Sequence, residues 1–268
     1  MSQVEAYYDE RPEQEWERLD RARTELGVTL RVLRDYLPTP PSRVLDIGGG
    51  PGRYAITLAQ QGYEVTLADV SAKCLELARE KQRQAGVELA GLVHANATDM
   101  SYFPDMSFDA VLMMGPLYHL LQERERRQAV AEAFRLLKPG GLIFAAFLTR
   151  FSALRWAAKC SPERILRRDD QLLETGLPAD SAEQGGFPGY FSHPTEIEPL
   201  MESSGFETVD LVGCEGVVSR LDERINELTG ELWEAWVELN YRLGHDRTLH
   251  GAADHLLYVG TKRGMDDS

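Results

Sequence analysis

A glycine-rich segment at residues 43–55 carries the clearest chemical signal in the sequence. Its first part, Val44 to Ile47, is a short apolar run that predicts a buried strand, and a helical pattern begins at Tyr54. Four glycines lie between these two elements: Gly48, Gly49, Gly50 and Gly52. Glycines let the backbone approach a ligand closely, and a helix N-terminus aims free N–H groups at negative charge. The segment therefore predicts the binding site of a nucleotide-type cofactor.

The spacing of these glycines separates two kinds of cofactor. A dinucleotide fingerprint has a third small residue three positions after its second glycine, which allows close helix packing around a pyrophosphate. Counted from Gly48, that third position is Arg53, whose side chain is long. The segment has the form Gly-x-Gly-x-Gly instead, and Asp46 precedes it at the strand end. It resembles motif I of the class I S-adenosylmethionine-dependent methyltransferases and disfavours a dehydrogenase.

An acidic residue ends the next predicted strand, at residues 64–70. The carboxylate of Asp69 is suited to accept both hydroxyl protons of a ribose, although this feature alone serves NAD equally well. In the family that motif I resembles, a ribose-binding acid stands at this place. The resemblance therefore implies that Asp69 and the following Val70 bind S-adenosylmethionine.

Three further segments match later motifs of that family in the expected order. Residues 96–100 resemble the loop that holds the adenine, residues 108–120 the fourth strand with its loop, and residues 136–147 the next turn and strand. The resemblance implies that Asp99 accepts from the adenine amine and that the N–H of Met100 reaches the ring. The residues that it implies for the cofactor, S-adenosyl-L-methionine with S-adenosyl-L-homocysteine as product, are Asp46, Gly48, Gly49, Gly50, Asp69, Val70, Thr98, Asp99, Met100, Met114 and Gly115.

The loop after the fourth strand also carries the best candidate for a catalytic group, His119. Methyl transfer from a sulfonium needs a base only when the acceptor arrives protonated, and an imidazole with an ordinary pKa of about 6.5 suits that role. A histidine that caps the next helix or bonds within the loop is an equally good interpretation. Tyr118, which is positioned to close over the methyl group, Tyr8 and His193 are the further candidates for substrate contact.

The methyl acceptor is less clearly marked than the cofactor. Family members that methylate amino nitrogen in nucleic acids and proteins often carry Asn/Asp-Pro-Pro-aromatic after the fourth strand, whereas residues 114–117 read Met-Gly-Pro-Leu. We therefore expect a small-molecule acceptor with an oxygen or nitrogen nucleophile. Two alternatives stay open: an RNA methyltransferase that uses the basic residues of 150–168 for phosphates, and a non-catalytic protein that binds the cofactor. Those basic residues are also compatible with an anionic small molecule or with a solvated helix face.

The composition restricts the partners and the compartment. The 268 residues carry a net charge of −14, which repels phosphate backbones at long range and disfavours nucleic acid as a partner. Cys74, Cys160 and Cys214 have no spacing typical of disulfides or a zinc site, so we expect no metal. Neither a membrane-spanning run nor an apolar signal core is recognisable. We expect a cytoplasmic protein without a membrane partner.

Alternating strands and amphipathic helices predict an α/β fold, a Rossmann-like three-layer sandwich. The resemblance implies a seven-stranded, mostly parallel sheet with an antiparallel strand 7. We divide the chain into an N-terminal helical cap segment (1–42), the cofactor-binding core (43–148), a substrate-cap insertion (149–192) and the C-terminal part of the core (193–264).

Two helical patterns lie outside the central motifs. Apolar residues three, four or seven positions apart predict a helix over residues 13–37, broken around Gly27, that packs on the sheet edge. A similar rhythm predicts a long amphipathic helix at about residues 220–243, which is an addition to the family's sheet. Core packing is the favoured interpretation of this added helix. Completion of the substrate cap and a homodimer contact are the alternatives.

Overall fold

A single sheet occupies the centre of the molecule. The computed structural model describes residues 3–167, 170–178 and 189–263. The strands are β1 (Arg43–Ile47), β2 (Glu64–Asp69), β3 (Gly91–His94), β4 (Phe108–Met113), β5 (Leu137–Leu148), β6 (Phe206–Gly213) and β7 (His255–Lys262). They form a seven-stranded sheet in the order β3, β2, β1, β4, β5, β7, β6, in which β7 is antiparallel to both neighbours and the other pairs are parallel. The predicted fold class is confirmed.

Helices cover both faces of this sheet. The described helices are α1 (Gln3–Asp9), α2 (Pro12–Arg21), α3 (Arg23–Tyr36), α4 (Arg53–Gln60), α5 (Ala72–Gln84), α6 (Pro116–His119), α7 (Glu123–Leu136), α8 (Arg150–Cys160), α9 (Asp170–Thr175), α10 (Pro194–Glu202), α11 (Asp222–Ile225) and α12 (Gly230–Gly244). Short 3₁₀ helices cover Pro162–Arg167, Gly216–Val218 and Arg247–Ala252. Among the described helices, none has the length and apolar composition that crossing a membrane requires.

The core has two apolar layers because successive side chains of a strand point to opposite faces of the sheet. In β1, Val44 belongs to one layer, whereas Leu45 and Ile47 belong to the other. In β5, Phe144 belongs to the same layer as Val44, and Ile143 belongs to the same layer as Leu45. This double burial explains why the central strands read as continuous apolar runs rather than as an alternating pattern.

The order of the strands determines where a ligand can bind. β1 lies between β2 and β4, so the chain changes direction across the sheet at β1. In open parallel sheets, the crevice for ligands lies at the carboxyl ends of the strands on either side of such a reversal. The residues that follow these three strands directly are Gly48, Val70 and Met114. The motifs singled out from the sequence therefore meet at one edge of the sheet.

The N-terminal helical pattern is broken at a different residue from the one predicted. α2 ends at Arg21 and α3 begins at Arg23, so the break lies at Ala22, and the predicted break at Gly27 is wrong. Gly27 lies inside α3, where a Cβ atom would come within 3.0 Å of Val237 on α12. A close approach of two helices, rather than a bend of one, explains the glycine at this position.

The helix predicted at about residues 220–243 is also interrupted. α11 ends at Ile225 and α12 begins only at Gly230, whose φ of +57° is left-handed and incompatible with a continuous α-helix. α12 packs on α3 and on β6. The favoured interpretation was core packing, and one face of α12 does pack against the body of the molecule.

The basic residues after β5 are bonded within the chain. Arg150 is buried and donates to the carbonyls of Phe191 and Leu173, and it forms an ion pair with Glu196. Its neighbour Arg155 donates to Asp254 at 2.7 Å and to the carbonyls of Gly251 and Ala253. These arginines bind α8 to the start of β7 and to α10. The basic residues of this segment extend to positions 167 and 168, whose side chains lie outside the described part of the chain.

We expect Arg155→Ala to lower the free energy of unfolding by roughly 2–4 kcal/mol, because it leaves the largely buried Asp254 with fewer partners. Lys159→Ala is the matched control on the same helix. Its side chain is 41% exposed, and its loss is expected to change stability by less than about 0.5 kcal/mol. Denaturant titration of the three proteins measures both values. Equal stability of Arg155→Ala and wild type would contradict the structural role of this arginine.

Candidate active site

A cavity of about 280 Å³ lies at the carboxyl ends of the central strands. Its floor comes from the segments that follow β1, β2, β3 and β4, and its lining there includes Gly48, Gly49, Gly50, Asp69, Val70, Asn96, Ala97, Thr98, Met114 and Gly115. α1 and α2 cover it from the other side with Val4, Tyr8, Glu15, Arg18 and Leu19. None of the described residues of 149–192 lines the cavity, so the described cover comes from the N-terminal segment.

The glycine loop after β1 is tightly enclosed from below. A Cβ atom on Gly49 would lie 2.3 Å from a carboxylate oxygen of Asp46, and one on Gly48 would lie 2.5 Å from Pro116. Side chains are therefore excluded on that side, and the bare backbone of the loop faces the cavity. A loop of this kind lets a ligand contact peptide groups directly.

Asp69, at the end of β2, connects this loop to the next helix. One carboxylate oxygen accepts the N–H of Gly50 at 2.7 Å, and the other accepts the N–H of Ser71 at 2.8 Å. Burial raises the pKa of Asp69 to about 6, although both hydrogen bonds oppose the rise. Each oxygen keeps a further lone pair, so the carboxylate is available to accept two hydroxyl groups from the cavity.

Asp46 lies under the loop instead of in the cavity. It is completely buried, and neither carboxylate oxygen has a hydrogen-bond partner of ordinary length. Burial, with a contribution from the neighbouring charge of Asp69, raises the pKa of Asp46 to about 7. Its contact with Gly49 makes it a support of the loop, which differs from the direct cofactor contact implied by the sequence.

The predicted adenine acid, on the loop after β3, does not line the cavity. The N–H of Asp99 bonds back to the carbonyl of Asn96, and the exposed Asp99 carboxylate accepts from the N–H of Ser101. Met100 is fully buried in the core, and its N–H donates to Glu132. Among the described residues of this loop, Asn96, Ala97 and Thr98 line the cavity, and Asp99 and Met100 do not.

Tyr8 and His119 meet across the cavity. No pattern in the sequence indicates this contact. The hydroxyl of Tyr8 lies 2.6 Å from Nε2 of the buried His119, and their rings contact edge to face at 5.2 Å. Burial raises the pKa of Tyr8 well above its usual value, so the phenol stays protonated at neutral pH. Tyr118 also lines the cavity, but its hydroxyl donates to the Met114 carbonyl at 2.9 Å.

His193 lies outside the cavity. It is the N-cap of α10, where Nδ1 bonds to Thr195 and the ring packs against Phe151. The capping box formed with Glu196 explains the local sequence without any ligand. The structure therefore separates His193 from Tyr8, Tyr118 and His119, which all line the cavity.

A group of charged residues on α2 was missed by sequence reasoning. Arg18 lines the cavity and donates two hydrogen bonds to Glu25 of α3, at 2.7 and 3.1 Å, and a third to Glu15 at 3.0 Å. The only sequence signal was the position of two acids in an amphipathic pattern, Glu15 three residues before Arg18 and Glu25 seven residues after it. Such pairs of opposite charges are common on exposed surfaces. Burial between the two helices depends on the tertiary fold.

The ion network continues below Arg18. Nδ1 of His255 lies 2.5 Å from Glu215 and 3.7 Å from Glu25. Burial opposes protonation of His255, but these carboxylates outweigh it and raise the pKa to about 9. In the described residues, Glu25, Glu215 and His255 are the group whose ligand atoms have metal-like spacing. Arg18 donates to Glu25, and protonated His255 lies beside Glu25 and Glu215, so the group forms part of an ion network.

Comparison with known proteins identifies the family. The model of the family described as "Methyltransferase domain" matches residues 44–141, the stretch that contains β1 to the beginning of β5. The chain is 31% identical over 179 residues to the ubiquinone/menaquinone biosynthesis C-methyltransferase of Erwinia tasmaniensis, a match that covers 62% of this chain and 66% of the relative. This protein belongs to the class I S-adenosylmethionine-dependent methyltransferases. The recognition from motif I is confirmed.

Two further relatives of this methyltransferase span more of the chain. The tRNA 5-carboxymethoxyuridine methyltransferase of Escherichia coli is 25% identical over 228 residues, which cover 85% of this chain and 78% of the relative. The crystal structure of an S-adenosylmethionine-dependent methyltransferase from Methanosarcina mazei aligns with a TM-score of 0.62 and 23% identity, covering 87% of this chain and 97% of the other. The fold therefore extends beyond the matched core to the terminal segments.

The cavity of the methyltransferase fits the cofactor of its family. The two free acceptor positions of Asp69 suit the two ribose hydroxyls, and the bare backbone at Gly48 to Gly50 leaves room for the amino acid part. Val70, Asn96 and Thr98 form the remaining wall on this side.

We expect Asp69→Ala to weaken S-adenosylmethionine binding by about 100-fold, because two hydrogen bonds to a buried carboxylate are removed. Asp99→Ala is the matched control, since this exposed side chain does not line the cavity, and the affinity of this variant is expected to equal that of wild type. Isothermal titration measures both dissociation constants. A larger loss of affinity in Asp99→Ala than in Asp69→Ala would show instead that Asp99 binds the adenine.

The raised pKa of Asp69 also predicts how binding depends on pH. The ribose hydroxyls are hydrogen-bond donors, so an ionised carboxylate binds them better than a protonated carboxyl group does. Asp69 ionises as the pH rises through about 6. We expect the affinity for S-adenosylmethionine to rise about tenfold between pH 5 and pH 7 and then to level off. Asp69→Asn should remove this dependence. Titration of both proteins over that range tests it, and an affinity that falls with pH would contradict the role of Asp69.

Proposed function

We propose that this methyltransferase methylates a hydroxyl or amino group of a small molecule that is not an anion. In this proposal, Asp69 binds the ribose, Val70 with Asn96 to Thr98 binds the adenine, and the backbone at Gly48 to Gly50 binds the amino acid part of S-adenosylmethionine. The cofactor supplies an electrophilic methyl group on a sulfonium. The residues of the chain bind the two reactants, exclude water and receive the acceptor's proton.

The observation that carries the small-molecule assignment is the cover formed by α1 and α2. Val4, Tyr8 and Leu19 of these helices face the cavity opposite the glycine loop. The end of α1 is bound to the start of α5, because Asp9 accepts from the Ser71 hydroxyl at 2.6 Å and from the N–H of Lys73 at 3.2 Å. A polynucleotide would have to displace this cover, whereas a small acceptor fits beneath it.

The charge of the acceptor follows from the ion pairs around the cavity. Arg18 is bonded to Glu15 and Glu25, and Arg53 pairs with Asp20 at 2.7 Å and lies over the ring of Trp16. Both arginines of the described lining are thus neutralised by the chain itself, while Glu125 is a further acid in the lining. Such a cavity favours a neutral or cationic acceptor over a carboxylate or a phosphate.

Tyr8 and His119 supply a route for the proton that an acceptor hydroxyl or ammonium loses. The acceptor donates to the oxygen of Tyr8, which passes its own proton to Nε2 of His119 across the 2.6 Å hydrogen bond. Tyr8 regains a proton from the acceptor, and His119 becomes imidazolium. A phenol whose pKa is raised is a poor stable anion, so the transfer through Tyr8 is concerted with the loss of the acceptor's proton.

RNA is the second candidate, because a relative that aligns with 85% of this chain is named a tRNA methyltransferase. Against it, Arg150 and Arg155 are occupied by bonds within the chain, and the net charge is −14. Incubation with labelled S-adenosylmethionine and either bulk tRNA or a panel of phenols, catechols and primary amines separates the two. We expect transfer to members of the panel, with carboxylated analogues poorer than neutral ones. Methylation of tRNA alone would overturn the small-molecule proposal.

With an acceptor from that panel, we expect His119→Ala to lower kcat by about 10²–10⁴-fold and Tyr8→Phe to lower it less, with cofactor affinity within about twofold of wild type.

His193→Ala is the control for these two variants. It removes a histidine outside the cavity, so both kcat and cofactor affinity should equal those of wild type. Single-turnover rates with saturating cofactor, together with titration calorimetry, separate chemistry from binding. Full activity of His119→Ala would exclude this histidine as the base.

A further inference from the structure

The wall proposed for the adenine uses several of its hydrogen-bond acceptors within the chain. Adenine carries an amino group with two N–H donors, and a donor that is buried without an acceptor lowers affinity. The carbonyl of Val70 already accepts from Nε2 of His94 at 2.7 Å. The carbonyl of Thr98 accepts from the side-chain amide of Gln128, also at 2.7 Å. Both carbonyls are thus bonded before any ligand arrives.

Asn96, in the same wall, is also used within the loop after β3. Its side-chain oxygen accepts from the N–H and from the hydroxyl of Thr98, both at 3.0 Å. Its carbonyl accepts from the N–H of Asp99 at 2.9 Å. These bonds form a local turn of the kind that asparagine side chains stabilise. The loop therefore contributes its shape to the cavity, while these acceptors serve its own turn.

Helix α7 places a row of three polar side chains along this loop. Glu125, Gln128 and Glu132 are three and four positions apart, so they share one face of the helix. Gln128 donates to the Thr98 carbonyl, and Glu132 accepts from the N–H of Met100 at 2.9 Å. The third member, Glu125, lies about 4.5 Å further toward the start of the helix and lines the cavity. The row thus fixes the loop with two members and presents the third to the ligand.

The carboxylate of Glu125 differs from the other acids nearby in its bonding. Its side chain is partly buried, and within the described part of the chain it has no hydrogen bond or ion pair. Glu123, two residues earlier on the same helix, pairs with Arg127 at 2.6 Å. The two other acids of the described lining, Glu15 and Asp69, accept from an arginine and from backbone N–H groups. A partly buried carboxylate is stabilised by a donor, and a ligand in the cavity would supply one.

We propose that Glu125 determines the specificity for the base of the cofactor, because its carboxylate accepts a hydrogen bond from the amino group of adenine. The proposal rests on the proposed function, which places the adenine beside Val70 and residues 96–98. Glu125 then takes, from the next helix, the role that the sequence resemblance implied for Asp99. A carboxylate accepts from an amine but repels a carbonyl oxygen at the same position. The site is therefore selective for adenine over hypoxanthine.

Calorimetric titration of the full chain with S-adenosyl-L-homocysteine and with its analogue that lacks the amino group, purine in place of adenine, tests the contact. We expect wild type to bind the analogue roughly 10- to 100-fold more weakly, because a hydrogen bond to a charged group is lost. Glu125→Ala should bind S-adenosyl-L-homocysteine more weakly by a similar factor and the analogue almost as wild type does. This non-additivity identifies a direct contact. Glu123→Ala, which removes an exposed acid from the same turn, should bind both ligands as wild type does.

A carbonyl in place of the amine tests the direction of the hydrogen bond. Wild type should bind S-inosyl-L-homocysteine roughly 100-fold more weakly than S-adenosyl-L-homocysteine, since the carbonyl oxygen of hypoxanthine faces the carboxylate. In Glu125→Gln, the carboxamide N–H donates to that oxygen, so the preference for adenine should shrink about tenfold or more. A substitution that only disturbed α7 would weaken the binding of both ligands equally.

Asp69→Ala in the same titrations separates this contact from the placement of the cofactor. If Asp69→Ala loses affinity and Glu125→Ala binds S-adenosyl-L-homocysteine as wild type does, the role of Glu125 is wrong and the cofactor placement stands. If neither variant loses affinity, the placement itself is wrong, and the role of Glu125 with it. Equal losses for both ligands in Glu125→Ala would also overturn the contact with the amine. Circular dichroism verifies that each variant is folded.

Discussion

The bonds from Asp69 to Gly50 and Ser71 hold the candidate site together. One carboxylate accepts the N–H of the glycine loop and the N–H that begins α5, so the ends of β1 and β2 have a fixed separation. Asp46 supports the same loop from below through its contact with Gly49. Burial raises the pKa of Asp69 to about 6 and that of Asp46 to about 7, and the charge of Asp69 adds to the rise at Asp46. Such destabilised groups are characteristic of binding and catalytic sites, where their unused acceptor positions serve a ligand.

The cover over this site depends on charges that would be costly if they were unpaired. Arg18 lies between the first helices and the cavity, and Glu15 and Glu25 neutralise it. His255 and Glu215 extend the network from Glu25 to the end of β7. A buried network of this kind contributes little net stability over an apolar core, but removal of one member leaves a charge without a partner. It therefore restricts how α2 and α3 can sit on the sheet, and with them the position of Tyr8 opposite His119.

The distribution of the arginines shows why net composition is a poor guide to a substrate. The stretch after β5 is rich in basic residues, which on sequence alone is compatible with phosphate binding. In the fold, Arg150 and Arg155 bind carbonyls and carboxylates of neighbouring segments. Their charge stabilises the connection between β5, α10 and β7 and is not presented to a ligand.

The sequence by itself determined the family, the sheet and the position of the cofactor cavity. Glycine spacing, apolar strands and an acid after β2 are local features, and the carboxyl ends of parallel strands must converge wherever such strands pair. Tertiary structure decided the rest. Asp99 was expected at the adenine and lies outside the cavity, because a turn at Asn96 redirects the loop; Gly27 serves a helix contact, not a bend. The meeting of Tyr8 with His119 joins residues 111 positions apart in the chain, and the neutralisation of Arg18 by Glu25 depends on how two separate helices pack. No periodicity reports such contacts, since they depend on how whole elements pack.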